Sequence, residues 1–394
     1  MRLGSAAAHP GGMTNEEPPG HYDPAGTPPP PPPPPPPRPH PAHGGGWAEV
    51  RDAISLRAFL LVTGTLLLGI GFVLSYVGAL HSPQLHALPV TVVSPNAQTT
   101  QRLVGELSRV PGNQIVPSAG TDRASAAEQV AHRDTVAAFV YDPSGSQDTL
   151  IVASAAGVAQ SVALDRLFTS VDRTQGRTVV VDDVVPAAAG DFNGVSTFYL
   201  IVGWCVTGYL VASILGISAG TRPSNTTRAT IRLVALALSG FIAALVGTWL
   251  VQQHILDALR GAFWPMVATG TLLVFGVGAI TMALQIAFGV TGIGLAVIIV
   301  VVLGNPSAGG AFPRSMLPPF WRAIGAFLPP GAGTDAVRSI SYFGGAGTGY
   351  PLLIMGGYVL VGVLLSLLLC VLRPREQRKT RGRQGGGAAP GQAS

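Results

Sequence analysis

Few side chains in this sequence are of types that do chemistry, and those few are sparsely placed. Asp182 and Asp183 adjoin, with Asp191 in the stretch that follows. Three carboxylates at close range suggest a cation site, but a calcium loop sets its ligands at alternating positions around a glycine turn. No such spacing surrounds these residues, so a solvated loop is the expected setting. His21, His40 and His43 are scattered through a Pro-rich stretch and do not read as metal ligands. Cys205 and Cys370 fall in apolar runs and read as small apolar fillers. Two cysteines are too few for a disulfide scaffold or a cysteine-rich metal site. HExxH and Cys/His metal spacings do not occur. Lys379 is the only lysine, so the residue that a Walker A loop places on phosphate is missing. The chain is therefore not expected to be an enzyme, and no catalytic residue, cofactor or metal is assigned.

Polar and small residues set against an apolar background carry more information. Gln285 is an amide deep in an apolar stretch. A hydrogen bond from it to a neighbouring helix would contribute roughly 1 kcal/mol; contact with a substrate is the alternative. Gly216 and Gly220 form a GxxxG, which permits close helix approach within a bundle or between two copies. Asn305, Pro306, Gly309, Gly310, Pro318, Phe320, Trp321, Pro329 and Arg338 mark a Pro- and Gly-rich connection over 305–350. Within it Phe320, Trp321, Ile324, Phe327 and Leu328 follow helical spacing, with Arg322 off the stripe. Such a piece can lie at a bilayer surface or re-enter it against protein. It would act either as a packed lid or as a gate over a path.

The elements that must position these residues follow from composition. The 394 residues are 47% hydrophobic and 11% charged, where soluble domains carry about 25% charge. The mean hydropathy is +0.42. Residues 1–50 hold the run Pro28–Pro37 and read as a disordered cytoplasmic tail in polyproline II, or as a docking strip for an aromatic groove. Residues 57–80 read as a first, uncleaved span, and Arg51 and Arg57 before it favour a cytoplasmic N-terminus. Residues 81–196 carry both charges and read as an extracytoplasmic α/β domain. Its strands are expected at 89–93, 113–116, 135–141, 149–153 and 178–181, and its helices at 98–110, 122–133 and 158–171.

Residues 197–372 read as a five-helix transmembrane domain. Spans are expected at 198–219 and 231–251, as a hairpin within 263–303 turning at 289–294, and at 351–372. Arg222, Arg228 and Arg232 are placed in a short cytoplasmic loop. Asn225-Thr226-Thr227 fits a glycosylation sequon but falls on that side. Residues 373–394 are a basic cytoplasmic tail, suited to anionic lipid headgroups rather than nucleic acid. The expected architecture is a polytopic α-helical membrane protein of the plasma membrane. It has six transmembrane helices, both termini cytoplasmic, and the α/β domain between spans one and two. Arg314, Arg322 and Arg338 then face outward, with Asp335 alone to balance them. No span interior holds an ionisable group, which argues against ion-driven transport.

This layout of one span, a large outer domain and five clustered spans resembles the permease subunits of ABC-2 type exporters, most closely the YhgE/Pip (phage-infection-protein-like) branch. The most specific stretch runs Asn305-Pro306-Ser307-Ala308-Gly309-Gly310, Pro313, Leu317-Pro318-Pro319-Phe320-Trp321, Phe327-Leu328-Pro329-Pro330, Ala336-Val337-Arg338 and Tyr342-Phe343. The resemblance covers about residues 55–372. It implies a homodimeric permease that moves an apolar or amphipathic substrate with a separate ATP-binding subunit. Two features depart from it: the Pro-rich tail, and the lack of a clear coupling helix near 222–232. The alternative reading is a non-transporting scaffold whose extracytoplasmic domain binds a cell-wall, phage or secreted partner.

Overall fold

The structure is a computed structural model that describes residues 56–372 except 254 and 255. The expected Pro-rich and basic tails lie outside the described residues. Helix α1 (Leu56–Leu80) is a leucine-rich run without proline. It leads into the α/β domain: β1 (Leu88–Val93), α2 (Ala97–Leu107), β2 (Ile115–Ala119), α3 (Arg123–Ala131), β3 (Ala137–Val140), β4 (Gln147–Val152), α4 (Val158–Arg173) and β5 (Thr178–Asp183). Asn96 and Asp122 cap α2 and α3, their side-chain oxygens accepting from Gln98 N and Ser125 N. Each expected helix and strand of this region forms, with ends shifted by a few residues. The second strand starts at Ile115 rather than 113, because Asn113 sits at φ 48° and interrupts the extended run.

The sheet order is β2-β1-β3-β4-β5. Strand β1 runs parallel to both neighbours, β3 and β4 are antiparallel, and β5 is parallel to β4. Strand β1 lies inside the sheet and is covered on both faces, which accounts for its near-continuous apolar run. One face packs Val90, Val92, Phe139 and Leu150 against α2 and α4, with Phe139 and Phe168 stacked at 4.8 Å. The other packs Val93, Ala138 and Ile151 against Ala126 and Val130 of α3.

Helices α5 (Ser196–Ser218), α6 (Thr226–Gln252) and α7 (Phe263–Phe288) follow. Helix α6 begins before the expected 231, so Arg228 and Arg232 lie in a helix and not in a loop. Asn225 caps α6, its Oδ1 accepting from Arg228 N at 2.8 Å. The Arg232 guanidinium turns back to donate to the Ala219 and Gly220 carbonyls at 2.6 and 2.7 Å. It thus satisfies the carbonyls, and the negative dipole end, at the C-terminus of α5. Helix α7 is the centre of the bundle, packed by α5, α6 and the last described helix, Gly349–Leu372. Small residues permit this: a Cβ at Gly208 of α5 would meet the Val274 carbonyl at 2.6 Å.

Helix α8 (Thr291–Ser307) carries a π-helical stretch over Ile298–Gly304. It is one of the shorter apolar helices, below the roughly 20 residues of a typical span. Two short helices, α9 (Pro319–Gly325) and α10 (Pro329–Tyr342), precede α11 (Gly349–Leu372). Among the described residues five helices, α1, α5, α6, α7 and α11, are long and apolar enough to cross a membrane, and the expected fifth span falls on the shorter α8.

One carboxylate pair in the α/β domain has a pH consequence. Asp148 is fully buried and takes a bidentate pair from Arg177, Nε to Oδ2 at 2.6 Å and Nη2 to Oδ1 at 2.7 Å. Asp172 is buried beside it, and burial together with the Asp148 carboxylate pushes its pKa up to about 7. An unfolded aspartate titrates near 3.9, so between about pH 4 and pH 7 the folded state binds the extra proton and stability falls as pH rises. Asp172→Asn is expected to flatten that decline, leaving the Tm near pH 4 unchanged and raising it at pH 8. Calorimetry of the detergent-solubilised protein across this range checks it, and an unaltered slope refutes it.

Candidate functional site

The stretch between α8 and α11, expected as an outer connection acting as a lid or a gate, is closely packed against both the helices and the sheet domain, for reasons that are local. Gly309 adopts φ +79°, which lets the chain reverse after α8. A Cβ at Gly310 would overlap the Phe198 ring, and one at Gly331 would overlap the Gly325 carbonyl oxygen. The chain turns at these points because the segments lie nearly in backbone contact. Pro329 and Pro330 open α10, where the missing proline N–H groups have no intrahelical partner to lose. Twelve of the fourteen residues of α10 are buried. Ala332, Ala336, Val337 and Ile340 join Ile201, Leu273 and Met355 in the core of the helical bundle.

The same stretch completes the α/β domain. Met316, with Phe312 beside it, enters the core on the α2/α4 face of the sheet. Phe343, with Tyr342, enters the core on the α3 face. Gln84 N donates to the Met316 carbonyl at 3.0 Å, and Ser315 Oγ donates to Gln160 Oε1 at 2.6 Å.

Charged groups converge where the two cores meet. Arg314 Nη2 pairs with Asp335 Oδ2 at 2.5 Å. Tyr342 donates its hydroxyl to Asp191 Oδ2 at 3.0 Å, and Ser196 N donates to Asp191 Oδ1 at 2.8 Å. Burial and the Asp191 carboxylate push the Tyr342 phenol pKa upward. Arg133, which follows α3 at φ +68°, donates to Ser339 Oγ and lies 5.2 Å from the Phe343 ring centroid. Arg338 is 3% exposed and donates from Nη2 to the Gly309 carbonyl at 3.2 Å. The aspartates expected as a solvated loop are thereby reassigned. Asp191 is 2% exposed, Asp182 on β5 pairs with Arg123 at 2.8 Å, and Asp183 on β5 accepts from Ser154 N at 3.0 Å.

The other singled-out residues divide. Asn305 and Pro306 are buried in the last turn of α8. Pro318 precedes α9, on which Phe320 stays 58% exposed while Trp321 lies against Gly78 of α1. The expected apolar helix through 328 stops at Gly325, where a side chain would overlap the Ser307 carbonyl. Gln285 and Gly216 meet: the buried amide fills the space a Cβ at Gly216 would take. Gly220 does not join them. It has φ +82° with open space around it and follows the end of α5, so the GxxxG is not a packing motif within this chain.

Sequence reasoning passed over Arg133, Asp191, Arg314, Asp335, Met316 and Tyr342 as a group, since they come from distant segments. The one legible signal was the helical spacing of Ala332, Ala336, Val337 and Ile340 behind a Pro-Pro start. No family model matches the chain, and comparison with curated proteins and with solved structures gives no match.

Met316→Ala is expected to destabilise the α/β domain by about 2–5 kcal/mol, the usual cost of truncating a buried Met. Phe320→Ala, four residues on and exposed, is expected to stay within about 0.5 kcal/mol. Limited proteolysis within residues 81–196 of the purified protein reads both; equal cleavage rates would contradict the packing.

Proposed function

We propose that this chain is a permease subunit of an ABC-2 exporter-like system in the plasma membrane, moving an apolar or amphipathic substrate with a separate ATPase. In this reading both termini are cytoplasmic and the α/β domain is extracytoplasmic. The observation that carries it is the shared core. Residues 312–343 pack into the sheet domain and into the helical bundle at once, so the two move as one unit and a change among the helices is transmitted to the domain. The spans contain no Asp, Glu, Lys or His, so a driving force supplied by another subunit fits better than an embedded proton or sodium relay. Helix α1 is 6% buried along its apolar window, leaving a long apolar flank free for a second copy in a homodimer.

A specific observation favours a second reading, a scaffold that binds a partner. The edge strand β5 presents Val180 and Val181, 44% and 42% exposed. Such an edge accepts an added strand from another chain.

Affinity purification in mild detergent, with mass spectrometry of co-purifying proteins, tests the first reading. A stoichiometric subunit bearing a Walker A motif is expected. Recovery of a homomer alone, or of a surface-exposed partner without any ATPase, would set the permease reading aside in favour of the scaffold.

A further inference from the structure

The charge junction does not balance. Arg133, Arg314 and Arg338 bring three positive charges, Asp191 and Asp335 two negative ones, and the other four are close enough to act on the Arg338 guanidinium. Four of the five are engaged by side chains. Asp335 is taken by Arg314, Asp191 by Tyr342, and Arg133 by Ser339 and the Phe343 ring. Arg338 is left with the Gly309 carbonyl at 3.2 Å, and its buried Nε finds no acceptor among the described residues. The nearby Ser341 hydroxyl, also buried, has none either. A buried guanidinium has five N–H groups in a planar fork, and leaving its charge unpaired costs several kcal/mol. Buried donors in this state call for an acceptor that the chain itself does not supply.

We propose that Arg338 is the anchor of an oxyanion site at the junction of the α/β domain and the helical bundle. The ligand is a phosphate group, bound by the guanidinium fork through Nε and the remaining N–H groups. Arginine suits this use because its fork matches phosphate geometry and keeps its charge when desolvated. The excess positive charge of the junction selects an anion over a neutral acceptor. The phosphate arrives either as a lipid headgroup, from the bilayer that the apolar helices occupy, or as a free anion. Binding here does not require transport, so failure of the exporter reading would leave the site standing.

Thermal unfolding of the full chain in neutral maltoside micelles tests it, with inorganic phosphate titrated against chloride at matched ionic strength and, separately, with phosphatidylglycerol added. Phosphate or phosphatidylglycerol is expected to raise the Tm of the wild type and of Arg322→Gln, and not that of Arg338→Gln. A response to phosphatidylglycerol alone assigns the lipid as source, and a response to both assigns the anion itself. Should Arg338→Gln fail to fold, Arg338→Lys carries the test. It keeps the charge, loses the fork, and is expected to bind about tenfold more weakly. A wild-type Tm moved by neither ligand, or moved equally in the Arg338 variants, overturns the proposal; internal water satisfying Arg338 would give that result.

Discussion

Met316 and Phe343 enter opposite faces of one five-stranded sheet, and they come from a stretch of chain about 130 residues or more beyond its last strand. This is the constraint on which the rest depends. A sheet of short strands with three helices leaves part of each face uncovered, and the missing cover is supplied by residues 312–343. That segment has to pass between the sheet domain and the helical bundle. Everything unusual about it follows: glycines where backbones nearly touch, prolines where helices must start without spare donors, and a helix, α10, buried nearly all round.

Burial of such a segment carries a polar cost that the structure meets almost completely. A helix enclosed on every side must satisfy its side-chain polar groups internally. Thr334 bonds back to the Pro330 carbonyl at 2.7 Å, Asp335 takes Arg314, and Ser339 accepts from Arg133. Arg338 and the Ser341 hydroxyl are the exceptions, and the place of Arg338 among the charged groups separates it from the structural pairs around it. The same logic operates at the other end of the bundle, where Arg232 is buried at low cost because two carbonyls at the end of α5 accept from it.

Local structure was legible where one pattern dominates. Short apolar runs, amphipathic helix spacing and turn residues placed the elements of the α/β domain, and uninterrupted apolar runs placed α1, α5, α7 and α11. What sequence reading lost were competing signals. Pro and Gly density over 305–350 reads as a connection between spans, because these residues usually punctuate turns. Here Gly325 and Gly331 serve close approach, and Pro329-Pro330 serve a helix start. Arg228 and Arg232 read as loop residues by charge, although Asn225 before them is a strong helix cap. The Gly216–Gln285 contact was half visible: each residue was marked for helix packing, but only the fold pairs them.

The central claim is that residues 329–342 form a helix sealed between two cores. Hydrogen–deuterium exchange of the full chain in detergent, followed by peptide mass spectrometry, addresses it directly. The amides of α10 are expected to exchange as slowly as those of α7, over hours, and far more slowly than those around Gly344–Gly347. Exchange of α10 within seconds, at the rate of the neighbouring glycine turn, would contradict the account.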